Sequence, residues 1–201
     1  MRQKGVDKEE TRQKMIEASG RGFRKYGYAG IGVDGLAKAA GVTSGAFYSH
    51  FGSKDGAFDI ALAAGLDEVV KGVPKFQAEY GLDWVKAFAE YYLGKPHRLD
   101  LECGCAMATL TSEVVRSHVK VHAAFEEKMN LIADLIAHGL SGSSDEDRRA
   151  RAWSMIGVLI GGINIARAMK STKVSEEVAE AIKNAAIKAA GRTRSSVLDK
   201  V

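Results

Sequence analysis

Apolar side chains recur at helical spacing along nearly the whole chain, and the breaks between them are marked by glycine. Residues 9–26 place Met15, Ile16, Phe23 and Tyr26 on one face between basic residues, the pattern of an amphipathic helix closed by Gly27. Val33, Leu36, Ala37 and Ala40 predict a second helix of two turns that Gly41 ends. A third short helix is expected from Ser44 to about His50. Gly52 interrupts it, Ser53 can cap the next, and Phe58, Leu62, Leu66 and Val69 carry that helix to about Gly72. Trp84, Phe88, Tyr91 and Tyr92 share an aromatic helix ended by Gly94 and Pro96, and KPHRLDLE reads as a charged loop. Gly104 to about Arg116 and Ser117–Gly139 predict two more helices. SGSSDEDRR reads as a linker whose Ser144 and acidic residues suit a helix start. The patterns over Ala150–Lys170 and Ser175–Ala190 complete the set, and RTRSSVLDKV reads as a frayed tail. No period-2 run stands out, so the expected fold is all-α with about nine helices.

Composition narrows this picture only a little. Apolar residues make up 46% of the chain and charged residues 27%, an ordinary globular balance. No apolar run reaches the ~18 residues of a membrane helix, and MRQKGVDKEETRQK lacks the apolar core of a secretion signal. A cytoplasmic protein without membrane partners is expected. Its two cysteines, Cys103 and Cys105, are too few for a disulfide scaffold.

Charge changes the picture more. The net formal charge is +4, yet residues 1–54 hold ten Lys/Arg against five Asp/Glu, while residues 55–201 hold nineteen against twenty. The positive excess therefore lies in the first quarter of the chain, as a polyanion-binding module joined to a neutral body requires.

The two short helices supply the reason. Helices this short, joined by a tight glycine-containing turn, are the mark of a helix-turn-helix. Leu36, Ala37 and Ala40 are expected to face the core from the first, with Val42 beneath the turn, and Ala46, Phe47 and Phe51 from the second. Thr43, Ser44, Gly45, Tyr48, Ser49 and His50 are left on the outer face. Gly45 adds no bulk, and the hydroxyls and imidazole can reach phosphates and base edges. Ser53 and Lys54 open the following helix, where the positive dipole end and an ammonium suit a phosphate. The plausible ordinary alternative, a helical hairpin in a core, leaves the polar face and the local charge unexplained.

Residues 12–62, through "MIEASGRGFRKYGYAG" and "VDGLAKAAGVTSGAFYSHFGSKDGAF", resemble the DNA-binding domain of the TetR family of bacterial transcriptional regulators. Gly27-Tyr28, Leu36-Ala37, Ala40-Gly41-Val42, Gly45, Phe47-Tyr48, His50-Phe51 and Lys54 carry the resemblance. It implies an N-terminal three-helix reader, here 1–54, and a helical ligand-binding and dimerisation body, here 55–192; residues 193–201 are expected to form a disordered tail. It further implies that Tyr48 and Lys54 hold phosphates, with Thr43, Ser44, Gly45 and Ser49 near bases and phosphates. The chain departs from the family at Ile31-Gly32, where a Thr/Ser pair is usual, and Gly35 weakens the second helix by about 1 kcal/mol relative to alanine.

The body gives less specific signals. Trp153, Ile156, Leu159, Ile160, Ile163 and Ile165 make the 150–170 helix apolar nearly all round, and Gly157, Gly161 and Gly162 permit close approach. A homodimer interface within residues 150–190 is expected, as the resemblance also implies. Trp84, Phe88, Tyr91, Tyr92, Met107 and Phe125 are candidates to line a pocket for a small apolar or aromatic effector. Cys103 and Cys105, with His118 and His122 four apart on a helix face, offer a competing metal or oxidant sensor. No metal or cofactor is expected, and no nucleophile–base constellation or cofactor loop points to an enzyme. The expected function is a repressor that binds palindromic double-stranded operator DNA as a homodimer and is released by its effector.

Overall fold

Helix propensity and apolar periodicity agree along the chain, and a computed structural model, which describes residues 4–194, is all-α. Its helices are α1 (Lys4–Tyr26), α2 (Val33–Ala39), α3 (Ser44–Phe51), α4 (Lys54–Tyr80), α5 (Trp84–Tyr92), α6 (Lys95–Leu99), α7 (Ala106–Val115), α8 (Val119–His138), α9 (Asp145–Ala168) and α10 (Thr172–Ala190). A 3-10 turn, Gly81–Asp83, precedes α5. Among the described residues no helix is long and apolar enough to cross a membrane.

Three differences from the sequence pattern have local causes. The segment expected as a charged loop folds Lys95–Leu99 into α6, because Pro96 sits in the first turn, where its missing N–H is no loss. α4 does not stop near Gly72 but continues through Pro74 to Tyr80. Pro74 lies on the exposed side, while Val73 and Gln77 are buried, and Gln77 Nε2 donates to the Leu135 carbonyl at 2.8 Å. Burial of that face outweighs the one backbone hydrogen bond that proline removes. The expected linker before residue 150 supplies the first turn of α9: Ser144 Oγ accepts from Asp147 N at 3.1 Å, and Asp145, Glu146 and Asp147 face the positive helix end.

The chain divides into two compact units. Residues 1–66 with 101–125 form the first, and residues 67–100 with 126–201 form the second. Neither is a single continuous stretch, and α4 and α8 each contribute to both.

In the second unit, α10 packs along α9, and α5 lies against both. Met155, Ile156, Leu159 and Ile163 of α9 are buried. Trp84 is fully buried, and its indole N–H donates to the Gly139 carbonyl at 3.1 Å, which satisfies its polar atom inside the core. The chain after α10 is held for at least three residues. Ser141 N donates to the Arg192 carbonyl and Arg194 N to the Gly139 carbonyl, and an isolated bridge joins Leu140 to Thr193. The frayed tail expected from residue 192 is thus ordered through Arg194, and its remainder, 195–201, lies outside the described residues.

The three glycines of α9 divide between two faces. Gly157 and Gly161 are exposed with open space around them, whereas Gly162 is buried where a Cβ would lie 2.1 Å from Ile182 Cγ2 of α10. Gly162 therefore sets the distance between α9 and α10. We expect Gly162→Ala to destabilise the protein by about 1–3 kcal/mol in chemical denaturation, and Ile182→Ala in the same chain to recover part of that loss.

Candidate nucleic-acid interface

The first unit builds its surface on a small aromatic core. Phe23 of α1, Phe47 and Phe51 of α3 and Phe58 of α4 are buried together with Met15 and Leu36. Phe47 and Phe51 lie 4.7 Å apart between ring centroids, and Phe23 meets Phe58 edge-on at 5.3 Å. Ala40, Val42 and Ala46, expected inside, are only half-buried.

The turn between α2 and α3 follows from one residue. Gly41 has φ +70°, and its N–H donates to the Lys38 carbonyl while Val42 N donates to the Ala37 carbonyl. This pair of bonds closes α2 and reverses the chain, and the left-handed conformation favours glycine. Gly32 begins α2 with its carbonyl accepting from Leu36 N but no side-chain cap.

On α3 the outer residues divide by what they hold. Thr43 caps the helix, its Oγ1 accepting from Ala46 N at 3.2 Å, and as acceptor in that bond its hydroxyl keeps a proton to donate. Ser44 Oγ donates to Asp34 Oδ1 at 2.5 Å, so its hydroxyl ties α3 to the first turn of α2. Gly45, Tyr48 and Ser49 are exposed and His50 is half-buried. Tyr48 is 51% exposed, too open for a core residue, and presents a phenol on the same face.

Lys54 stands at the start of α4, after Gly52 with φ +72° and the cap Ser53, whose Oγ accepts from Gly56 N at 2.9 Å. Its ammonium lies 4.3 Å from the centroid of the Tyr28 ring, a cation–π contact that holds a flexible side chain in place. Tyr28 is itself fixed from several sides. Its ring stacks on Phe23 and meets Phe58 edge-on, its hydroxyl donates to Asp55, and its N–H donates to Glu113 Oε1 of α7 at 3.2 Å. The Asp55 hydrogen bond, with burial and the nearby carboxylates, pushes the Tyr28 phenol up to about 12, so it stays neutral. A second carboxyl on this side, Asp59, is raised by burial and drawn back by Lys120.

Residues 101–125 supply a brace that local sequence reasoning missed. The Glu102 carbonyl accepts from Arg24 Nε at 2.6 Å, and its carboxylate takes Lys25 Nζ at 2.5 Å. Glu113 adds the Tyr28 contact and pairs with Arg116 at 3.3 Å. These residues lie 77–85 positions from the ones they hold, so no local pattern marks them.

Candidate effector residues fall in both units. Trp84, Phe88 and Tyr92 are buried in a chain of ring contacts in the second, and Tyr91, at 61% exposure, stacks on His97 instead of facing inward. Burial lowers the His97 imidazole. Met107, buried, and Phe125, half-buried, belong to the first unit. Cys103 is exposed and Cys105 half-buried, and among the described residues no group of three or more His, Cys, Asp or Glu is arranged to hold a metal ion.

Comparison with known proteins agrees with this geometry. The family model for bacterial regulatory proteins, tetR family, matches residues 15–61, from the middle of α1 into α4. The HTH-type transcriptional repressor AcnR of Corynebacterium glutamicum is 33% identical over 93 residues, covering 40% of this chain and 48% of the relative. The HTH-type transcriptional regulator BetI of Stenotrophomonas maltophilia is 34% identical over 83 residues, covering 41% of this chain and 42% of the relative. The chain thus spans about half the length of the curated relatives it matches. A crystal structure of a TetR-family transcriptional regulator from Agrobacterium tumefaciens superposes with a TM-score of 0.72 at 14% identity, covering 88% of this chain and 97% of that one, which extends the likeness of fold over both units. Residues 15–61 thus match the tetR family of bacterial regulatory proteins in sequence, and the fold of the chain is like that of TetR-family regulators of known structure.

Proposed function

We propose that the protein is a ligand-responsive transcriptional repressor that binds a palindromic operator as a homodimer and releases it when a small apolar or aromatic effector binds. The observation that carries the DNA-binding reading is the Lys54 ammonium, held over the Tyr28 ring at the positive end of α4 beside the exposed face of α3. Tyr48 and Lys54 contact phosphates, and Thr43, Gly45, Ser49 and His50 lie near phosphates and base edges. Ser44 serves the same face by fixing α3 against Asp34. The repressor reading draws on AcnR, which is named a repressor. The protein acts in the cytoplasm, where its operator is.

The dimer reading is supported by the outward face of α9 and α10. Gly157 and Gly161 are exposed, Ile165 is 51% and Trp153 37% exposed, and Ala181 and Ala185 of α10 are exposed too. Small residues let two such faces approach closely, and a two-fold pair places two readers about 34–36 Å apart, one DNA turn. The effector reading is supported by the aromatic cluster of Trp84, Phe88, Tyr91 and Tyr92 and by the continuity of α4, whose first residue carries the cation and whose last turns meet Phe88 and Tyr91 through Phe76. An effector shifts the equilibrium only by its preference for the non-binding state, typically about 1–3 kcal/mol.

Two measurements test this reading. Lys54→Ala should weaken binding to all duplexes about equally and reduce the slope of log K against log salt by about one unit; an unchanged slope and affinity would remove Lys54 from the interface. Sedimentation should give a dimer at micromolar concentration, and Ile165→Asp should yield a folded monomer, whereas a dimer that survives this change places the interface elsewhere.

A further inference from the structure

Cys103 occupies the corner of a turn that braces the DNA-reading unit. Gly104 N donates to the Leu101 carbonyl at 3.2 Å, which makes Glu102 and Cys103 the two central residues of that turn. Glu102 is the residue that holds α1, through Arg24 on its carbonyl and Lys25 on its carboxylate. The exposed Cys103 thiol is therefore one residue from the brace. Two residues further along, Cys105 is the N-cap of α7, and its carbonyl accepts from Ala108 N and Thr109 N. Ala106, which follows, lies against α4 so closely that a Cβ on Gly65 would be 2.7 Å from its own. The other end of α7 carries Glu113, which accepts the Tyr28 N–H.

Two residues of chain span at most about 7 Å, and a disulfide needs Cα atoms roughly 4.4–6.8 Å apart. The backbone bends at Gly104, between the two thiols. Neither cysteine is in a disulfide, so both are thiols.

We propose that Cys103 and Cys105 form a modification site for hydroperoxides, with Cys103 the attacking thiol and Cys105 the resolving one, and that closing this bridge releases α1 from Glu102. The Cys103 sulfur attacks the peroxide, the O–O bond breaks, and the departing oxygen leaves as an alcohol or water carrying the thiol proton. The resulting sulfenic acid is attacked by the Cys105 sulfur, an S–S bond forms, and the sulfenic oxygen leaves as water with the second thiol proton. The peroxide is reduced by two electrons and the thiol pair is oxidised by two. Closing an eleven-atom ring across Gly104 fixes the backbone of 103–105 in a new conformation, which strains the Leu101–Gly104 turn on one side and the Cys105 cap on the other. The turn then withdraws Glu102 from Arg24 and Lys25, and the start of α7 shifts with Glu113 behind it. The effect on DNA binding rests on the proposed function; the bridge and its effect on α1 do not.

The test uses the full chain, hydrogen peroxide and two readouts, peptide mass spectrometry and amide hydrogen exchange. The expected result is an intramolecular Cys103–Cys105 bridge, reversed by dithiothreitol, with exchange over residues 24–28 faster by roughly tenfold. Cys103→Ser and Cys105→Ser should each abolish both changes, and Glu102→Ala should quicken the same amides without oxidant. Absence of the intramolecular bridge, or a bridge that leaves exchange over 24–28 unchanged, overturns the proposal. Duplex binding measured on the same reduced sample separates the two readings, because a reduced protein that binds no DNA contradicts the proposed function and leaves the bridge standing.

Discussion

The first unit depends on one residue, Tyr28, because it is where three helices are held to one another. Its ring continues the aromatic core of Phe23 and Phe58, its hydroxyl and ring face engage Asp55 and Lys54 at the start of α4, and its N–H is taken by Glu113 of α7. Each contact is modest alone. Together they remove the freedom of a lysine side chain, whose ordering otherwise costs up to about 2 kcal/mol. A cation fixed before binding needs less ordering when a phosphate arrives.

The same economy appears in the second unit, where contact distance and not side-chain chemistry governs packing. Gly162 lets α10 lie directly on α9 at Ile182, while Gly157 and Gly161 leave the opposite side of α9 flat and open. Gly162 is buried between the two helices, and Gly157 and Gly161 have open space around them. Trp84 anchors this unit through the Gly139 carbonyl, at a glycine whose added Cβ would lie 2.5 Å from Gln77 and 3.0 Å from Trp84.

What could be read from the sequence was what local chemistry encodes. Gly41 and Gly52 marked the limits of the two short helices because a left-handed backbone favours glycine, and both have φ near +70°. The exposed face of α3 followed from the helical spacing of Phe47 and Phe51, and the basic first quarter of the chain pointed to a polyanion. The missed features depend on distant chain or on competition between forces. Glu102 and Glu113 act on residues 77–85 positions away. The extension of α4 through Pro74 was decided by buried Val73 and Gln77 against a local breaker. Ser44 faced outward by spacing, yet its hydroxyl belongs to Asp34, a pairing that only the angle between α2 and α3 creates.

If Tyr28 presents Lys54 to phosphate as proposed, a double-mutant cycle on duplex affinity will show the two side chains to be coupled. Tyr28→Leu keeps an apolar side chain against Phe23 and Phe58 but removes the ring face and the hydroxyl, and Lys54→Ala removes the cation. If Tyr28 acts through Lys54, the double variant should bind about as weakly as Lys54→Ala alone, with a coupling of about 0.5–2 kcal/mol. Losses that simply add would contradict the account, because they would mean that the ring and the ammonium reach DNA binding by separate routes.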